Sequence, residues 1–258
     1  VGSEMCIRDR QTAANLMGKP WVKRCSPTLK DGMGRLIPAL RITPKKAIES
    51  LTWNLPSSKS HAIRWLALAA QSNQDVILYG LGNAGQDIVS MRRCLRQMGV
   101  QITDLGPDGE VLEIPTNHDD RPPKASVAWK INGVGPHGLK PPSSALHAGN
   151  SGTALRILMA LCARFDVPVM LDGDASLRSR NHDVMAGALR AFGVEVSHGE
   201  GVEGLPLLVN GPWKPLECLE LDVSTSSQPM TAWHLAAPAL AGGMTILAVG
   251  EGVSLRHS

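Results

Sequence analysis

The chain has 258 residues, of which 43% are hydrophobic and 19% charged, a composition that supports a sizeable buried core and excludes wholesale disorder. Aromatic residues make up only 3% and the net charge is +3, which argues against base stacking and against a surface that follows a phosphate backbone. Five cysteines without paired spacing predict reduced thiols in a cytoplasmic protein. No apolar run reaches the roughly 18 residues of a membrane span, so we expect no membrane partner. The low aromatic content and the small net charge predict no nucleic-acid partner.

The first part of the chain matches no structural motif. Residues 1–10, VGSEMCIRDR, show no hydrophobic periodicity and are similar to a translated sequencing adaptor, so we expect them to be foreign to the fold. Residues 11–38 carry scattered lysines, arginines, prolines and glycines. They remain an unassigned leader.

A repeated order of elements organises the chain from Ser57 onward. Each copy opens with a small polar loop, continues through an apolar helix and a strand, and then adds a second helix and strand. The copies open at Ser57, Gly149 and Ser224. This order predicts a pseudo-symmetric α/β domain with mixed sheets, built from repeated β-α-β-α-β units, and the third copy stops after its first strand.

The elements follow from local periodicity and from glycines that end helices. Gly99 and Gly193 each close a second helix, as glycine does at the position after a helix end, and each is followed by valine and a short strand. Arg178 and Arg180 fall in a predicted loop. In chain order we predict a helix over 61–70, a strand at 75–80, a helix containing 91–97, strands from 100, at 111–114 and at 127–131, a helix over 154–165, a strand at 167–173, a helix before Gly193, a strand from 194, a helix over 230–240 and a strand at 245–249.

The three opening loops are predicted anion sites. A helix N-terminus presents unpaired N–H groups and a partial positive charge. Ser60 and Arg64 are four residues apart, as are Gly152 and Arg156, so each pair can line one helix face. A single serine before a helix is usually only a cap, but three such loops at equivalent positions of a repeat favour one polyanionic pocket.

Further side chains in these loops suit phosphate and carboxylate groups. Ser226, Ser227 and Gln228 supply two hydroxyls and an amide. Lys59 adds a mobile ammonium, and Arg180 adds a guanidinium that can bind two oxygens at once.

Four runs now resemble, in the same order, the 5-enolpyruvylshikimate-3-phosphate synthase family. They are LPSSKSHAIRWLALAA (55–70), AGNSGTALR (148–156), LDGDASLRSR (171–180) and DVSTSSQPMTAWHLAAPAL (222–240). The resemblance implies a transferase of the shikimate pathway, which leads to chorismate and the aromatic amino acids. Such an enzyme moves the enolpyruvyl group of phosphoenolpyruvate to the 5-hydroxyl of shikimate 3-phosphate through a tetrahedral intermediate. It implies no cofactor, no metal and a monomer when full length.

The resemblance also implies roles for individual residues. Lys59 would be the catalytic residue, contacting phosphoenolpyruvate and assisting proton transfer. The residues implied to bind phosphoenolpyruvate are Lys59, Asn150, Gly152, Thr153, Arg180 and Gln228. The residues implied to bind shikimate 3-phosphate are Ser60, Arg64, Ser226, Ser227, Gln228 and Ser254.

The sequence departs from the family pattern at several positions. Ile157 and Asn181 stand where the family commonly has proline, and His257 stands where a tyrosine packs on the shikimate ring. Gln86 and Asp87 occupy the place of a pair of acids. A divergent paralogue therefore stays open.

The family fold implies how much of an enzyme is present. It has two similar domains, each half of an inside-out α/β barrel, joined by two crossings. Residues 39–53 would supply the first crossing strand, and residues 54–258 would form one domain with a truncated third repeat. The second domain, which carries the acids that activate the hydroxyl, is missing, so we expect this chain to be inactive alone.

Two related enzyme families and one non-catalytic function are the alternatives to this interpretation. A sister enolpyruvyltransferase that acts on a UDP-sugar typically begins its site with Lys-Asn, whereas this chain has Lys59-Ser60. The nucleotide motif of the distantly related RNA 3′-phosphate cyclases is not found. A non-catalytic anion-binding module remains the alternative from a different class.

Overall fold

A computed structural model describes residues 22–30, 36–42, 57–112, 120–199, 204–214, 216–224, 226–240 and 242–252. The chain divides into two units, Val1–Leu55 and Pro56–Ser258. In the first unit, β1 (Val22–Lys30) and β2 (Leu36–Ile42) pair antiparallel. This hairpin occupies much of the leader to which the sequence assigned no element. Residues 1–10 and most of the crossing strand expected at 39–53 lie outside the described residues, so both assignments stay predictions.

The first repeat forms an antiparallel sheet with two helices. Its elements are α1 (Lys59–Ala70), β3 (Val76–Tyr79), α2 (Gln86–Gln97), β4 (Gln101–Leu105), β5 (Val111–Leu112) and β6 (Ala128–Asn132). The strand order is β3-β6-β4-β5, and all neighbours are antiparallel. The strand expected at 111–114 is observed at its first two residues, and residues 113–119 are not described.

The second repeat has the same connectivity. Its elements are β7 (Leu146–His147), α3 (Gly152–Cys162), β8 (Val169–Asp172), α4 (Ala175–Arg178), α5 (Asp183–Ala191), β9 (Glu195–His198) and β10 (Leu207–Asn210). The order β8-β10-β9 reproduces β3-β6-β4, and β7 adds a parallel neighbour to β8. The repeat predicted from the sequence is therefore confirmed by its topology.

One local prediction in this repeat was wrong. Arg178, assigned to a loop, is the last residue of the one-turn helix α4. The cause is a local cap, because the Leu177 N–H donates to the Asp174 carboxylate at 2.8 Å and so starts a helical turn.

The third repeat begins with β11 (Cys218–Asp222), continues through α6 (Gln228–Ala236) and a 3₁₀ turn (Ala237–Ala239), and reaches β12 (Thr245–Val249). β11 and β12 are parallel, as β7 and β8 are. The α-helix ends before the predicted residue 240 because Pro238 cannot continue the i to i−4 hydrogen bonds.

The first helices of the three repeats form the centre of the domain. α1, α3 and α6 pack against one another pairwise. α3 is buried on almost every side: Leu155, Ile157, Leu158 and Leu161 have no exposed area. An apolar helix surrounded in this way is a core helix. In the described part of the chain no helix has both the length and the apolar character to cross a bilayer.

The C-terminal ends of these helices are tied together by polar side chains. Gln71, just after α1, donates from Nε2 to the carbonyl of Leu235 in the last turn of α6 at 2.8 Å. Arg164, just after α3, donates to Gln71 Oε1 at 2.9 Å. Burial lowers the pKa of the Arg164 guanidinium to about 10, so it stays charged at neutral pH. All three helices therefore end at the same side of the domain.

A buried ion pair joins α2 to its sheet. Arg92 Nη1 donates to Asp104 Oδ1 at 3.0 Å, and neither side chain has exposed area. Ser126 Oγ donates to the same carboxylate at 3.0 Å, and the guanidinium lies 4.3 Å from the centre of the Trp129 ring. These contacts offset the cost of removing two charges from water.

Asp104→Asn is expected to destabilise the fold by about 3–5 kcal/mol, because it leaves the Arg92 charge buried without a counter-charge. Urea unfolding monitored by tryptophan fluorescence measures this. The matched control is Asp75→Asn, which removes an exposed partner of Lys130 at 2.8 Å and should change stability far less. Equal losses in the two variants would contradict this assignment.

Candidate anion-binding site at three helix N-termini

The N-terminal turns of α1, α3 and α6 meet at one side of the domain. Arg64 in α1 donates from Nη2 to Thr231 Oγ1 in the first turn of α6 at 3.2 Å. Arg156 in α3 donates from Nη1 to Gln228 Oε1, at the first residue of α6, at 2.8 Å. Since Gln71 ties the opposite ends, the three helices run in the same direction. Their free N–H groups and partial positive charges therefore lie at the same side of the domain.

Gly152 lies where side chains of Arg156, Arg180 and Gln228 come together. A Cβ placed on Gly152 would lie 2.8 Å from Arg156 Nη1, 3.3 Å from Arg180 Nη1 and 3.6 Å from Gln228 Oε1. Two guanidinium groups and an amide thus crowd the bare first residue of α3. Any side chain here would occupy the space that a ligand oxygen needs to reach the backbone N–H groups.

The two arginines at Gly152 have no acidic partner among the described residues. Arg156 also contacts the carbonyls of Gly152 at 3.2 Å and Asn181 at 3.5 Å, whereas Arg180 donates to Asn150 Oδ1 and to Ser176 Oγ. Burial, and then the nearby Arg180 charge, lowers the pKa of Arg156. Two cations held together among neutral oxygens favour an anion between them.

The loop before α3 is fixed by its own hydrogen bonds. Gly149 has a φ of 62°, a left-handed conformation that favours glycine. Its N–H donates to His147 Nδ1 at 3.2 Å, and its carbonyl accepts from the Asp174 N–H at 2.9 Å. Arg93 donates to the His147 carbonyl at 2.7 Å. These bonds hold Asn150 where its side chain meets Arg180.

The turn after α4, which carries Arg180, is stabilised by the buried side chain of His182. This ring is 4% exposed, and its Nε2 lies 3.1 Å from the Leu177 carbonyl, to which it donates. Burial lowers the pKa of His182, an effect to which the nearby Arg156 and Arg180 charges add. The ring is therefore neutral at pH 7, and it adds no third charge to the arginine pair.

Lys59 opens α1 and is held by an acid from α2. Its Nζ lies 2.9 Å from Asp87 Oδ2, and the lysine side chain is 57% exposed while the aspartate is 18% exposed. An ammonium that is anchored on one side and open to solvent on the other can reach an incoming ligand. Asp87 sits in the first turn of α2, where the helix dipole favours a carboxylate.

The third loop places Ser226 and Ser227 at the start of α6. The Gln228 N–H donates to Ser226 Oγ at 3.2 Å. Ser227 is buried at the cap position of the helix, and its carbonyl accepts from Thr231 Oγ1 at 3.4 Å.

The structure brings most of the predicted site residues to this side of the domain. Asn150, Gly152, Arg180 and Gln228 meet through the contacts above. Ser60 accepts from Arg64 through its carbonyl at 2.8 Å, which agrees with their four-residue spacing. Thr153 lies buried in the first turn of α3, and Ser254 and His257 are outside the described residues.

Three residues of the cluster were not among the predicted ligand-binding residues. Arg156 had a usable signal, because its spacing from Gly152 equals that of Arg64 from Ser60. Asp87 had the weaker signal of an acid in a first helical turn. Thr231 had none. Within the described ranges, no group of three or more His, Cys, Asp or Glu residues could hold a metal ion.

Comparison with known proteins identifies the family of the chain. The sequence model of EPSP synthase (3-phosphoshikimate 1-carboxyvinyltransferase) matches residues 120–255, more than half of the chain. The chain belongs to the EPSP synthase family. The family resemblance inferred from the four sequence runs is thereby confirmed.

Individual EPSP synthase relatives show how far the likeness extends. The 3-phosphoshikimate 1-carboxyvinyltransferase of Rhodopseudomonas palustris strain HaA2 is 30% identical over 196 residues, which is 76% of this chain and 40% of that protein. That of Paracoccus denitrificans strain Pd 1222 is 33% identical over 162 residues, 63% of this chain and 32% of that protein. The solved EPSP synthase from Acinetobacter baumannii has a TM-score of 0.57 and 28% identity, covering 72% of this chain and 38% of its own. The chain thus spans about 40% of the length of the first of these relatives.

Gly152→Ala is expected to weaken binding of inorganic phosphate about tenfold, because the new methyl displaces the Arg156 guanidinium and costs one charge-assisted hydrogen bond. The fold should keep its stability, since Gly152 begins a helix and only the end of a flexible side chain must move. Phosphate titration followed by NMR measures the affinity.

The matched control is Gly187→Ala, a helical glycine in α5 with open space around its Cβ position. It should bind phosphate as the unchanged chain does, and alanine should slightly stabilise the helix. Unaltered phosphate binding in Gly152→Ala would show that the anion does not lie at this glycine.

Proposed function

We propose that the chain is part of a 3-phosphoshikimate 1-carboxyvinyltransferase. This enzyme transfers the enolpyruvyl group of phosphoenolpyruvate to the 5-hydroxyl of shikimate 3-phosphate, with release of phosphate, in the pathway to chorismate and the aromatic amino acids. The observation that carries the proposal is the convergence of Arg156, Arg180 and Gln228 on Gly152 beside the N-termini of three parallel helices. Both substrates bear a phosphate and a carboxylate, so together they need the pooled positive charge that this arrangement supplies.

The phosphoenolpyruvate subsite is proposed around Gly152. The residues assigned to it are Lys59, Asn150, Gly152, Thr153, Arg180 and Gln228. Arg180 can bind two oxygens of one anionic group, and its bond to Asn150 fixes the guanidinium plane. Arg156 is added to this set because it faces Arg180 across Gly152.

The shikimate 3-phosphate subsite is proposed between α1 and α6. The residues assigned to it are Ser60, Arg64, Ser226, Ser227, Gln228 and Ser254, the last of them outside the described part of the chain. Hydroxyls and helix N–H groups suit a phosphate without adding charge, and Arg64 supplies the cation. Gln228 borders both subsites because it begins α6 and contacts Arg156.

The reaction proceeds by addition and elimination. In the addition, the 5-hydroxyl group gives up its proton as its oxygen bonds to C2 of phosphoenolpyruvate, and the methylene carbon takes up a proton as the double bond becomes a single bond. In the elimination, the methyl carbon loses a proton, the double bond re-forms and phosphate leaves. The substrates undergo no net oxidation or reduction, so the reaction needs no redox cofactor and we propose none. Lys59 is the proposed proton-transfer residue in this chain, with Asp87 holding its ammonium in place.

The chain supplies binding groups rather than the whole catalytic set. It spans about 40% of the length of the Rhodopseudomonas palustris relative. We propose that the acids that activate the hydroxyl, and further arginines for phosphoenolpyruvate, belong to the part of the enzyme that this chain does not match. We also propose a cytoplasmic location and a monomeric full-length enzyme, with the two small molecules as its partners.

The purified chain is expected to bind shikimate 3-phosphate in calorimetry without releasing phosphate from phosphoenolpyruvate. Arg64→Ala should weaken shikimate 3-phosphate binding by about tenfold or more, since it removes a charge-assisted hydrogen bond. The matched control is Arg190→Ala, an arginine in the last turn of α5 whose contact is the Val196 carbonyl. It should bind like the unchanged chain.

Three outcomes would contradict parts of this proposal. Measurable enolpyruvyl transfer by the chain alone would show that its catalytic set is complete. Equal affinity for inorganic phosphate and for shikimate 3-phosphate would favour the non-catalytic anion-binding module. Unchanged binding in Arg64→Ala would remove the proposed substrate subsite between α1 and α6.

A further inference from the structure

Thr231 occupies a position between two groups of the proposed shikimate 3-phosphate subsite. It lies in α6 one turn after Gln228 and is 3% exposed. Its hydroxyl oxygen accepts from Arg64 Nη2 at 3.2 Å, and its hydroxyl hydrogen points to the carbonyl of Ser227 at 3.4 Å. A hydroxyl can accept and donate at once, so this side chain links Arg64 on α1 to the cap residue of α6.

Arg64 depends on such a contact to hold one direction. Its side chain has several rotatable bonds, and fixing it costs conformational entropy. Within its own helix it donates from Nη1 to the Ser60 carbonyl at 2.8 Å. The bond from Nη2 to Thr231 directs the guanidinium towards α6. Burial lowers the pKa of Arg64, so oxygen partners matter for keeping the charged form in place.

The same helix also holds the other arginine. Gln228 accepts from Arg156 at 2.8 Å, and Gln228 and Thr231 are three residues apart, hence neighbours on one face of α6. One face of α6 therefore receives a guanidinium from α1 and another from α3.

We propose that Thr231 is a positioning residue that orients Arg64 for shikimate 3-phosphate. The proposal rests on the function proposed above and adds a residue to which no ligand role had been given. Thr231 acts through Arg64 and does not itself need to touch the substrate. Its hydroxyl is the required part, because the methyl group of threonine only fills space in the helix packing.

The substitutions separate positioning from packing. Thr231→Val keeps the shape and β-branching of the side chain, and with them the packing of α6, but removes the hydroxyl. Thr231→Ser restores the hydroxyl and removes the methyl. The matched control is Thr103→Val in β4, which makes the same chemical change outside the three central helices.

Two measurements are made on the 258-residue chain and its variants. Calorimetry gives the affinity for shikimate 3-phosphate, and side-chain ¹⁵N NMR of the arginine Nε–H group reports how firmly Arg64 is held. Thr231→Val should weaken shikimate 3-phosphate binding about tenfold and make the Arg64 signal more mobile, as loss of one hydrogen bond to a charged group requires. Thr231→Ser should return both towards the values of the unchanged chain, and Thr103→Val should change neither.

The outcomes distinguish this inference from the proposed function. If Thr231→Val leaves the Arg64 signal unchanged, Thr231 does not position Arg64 and the inference is wrong, whatever ligand binds. If the unchanged chain does not bind shikimate 3-phosphate, the proposed function fails and the ligand role of Thr231 fails with it. If Arg64→Ala abolishes binding while Thr231→Val retains full affinity, the proposed function stands and the inference alone is overturned.

Discussion

The parallel packing of α1, α3 and α6 determines where the three repeats place their opening loops. Parallel helices place their partial positive charges side by side, an arrangement that costs free energy unless negative charge lies at that end. The hydrogen bonds of Gln71 at one end and of Gln228 at the other fix this direction. The repeat thus explains why three helix N-termini meet in the candidate site, since each copy of the loop–helix unit contributes one of them.

The charged side chains at these helix ends differ in whether an acidic residue accompanies them. Arg156 and Arg180 meet at Gly152 without an acidic neighbour among the described residues, whereas Lys59 is anchored by Asp87. The first arrangement favours firm binding of an anion, because no internal carboxylate competes for the guanidinium groups. The second holds one ammonium at the start of α1 with more than half of its side chain exposed, where an incoming ligand can reach it.

Local patterns in the sequence could predict the helices, their opening loops and the order of the repeat. They could not predict contacts between distant residues: Arg64 and Thr231 are separated by 167 positions and Arg156 and Gln228 by 72. The two-residue strand β7 is too short to show any alternation, and the turn of α4 depends on the Asp174 cap. The contact between Thr231 and Arg64 forms only when the repeats pack, so no spacing rule could have found it.

If the three helix N-termini form one anion site, a bound anion contacts all three helices at once. Titration of the ¹⁵N-labelled chain with inorganic phosphate, followed through its backbone amide signals, tests this most directly. Amides in the first turns of α1, α3 and α6 should shift together with a single affinity, which weakens as salt is added. Shifts confined to one helix, or separate affinities for the three, would contradict it.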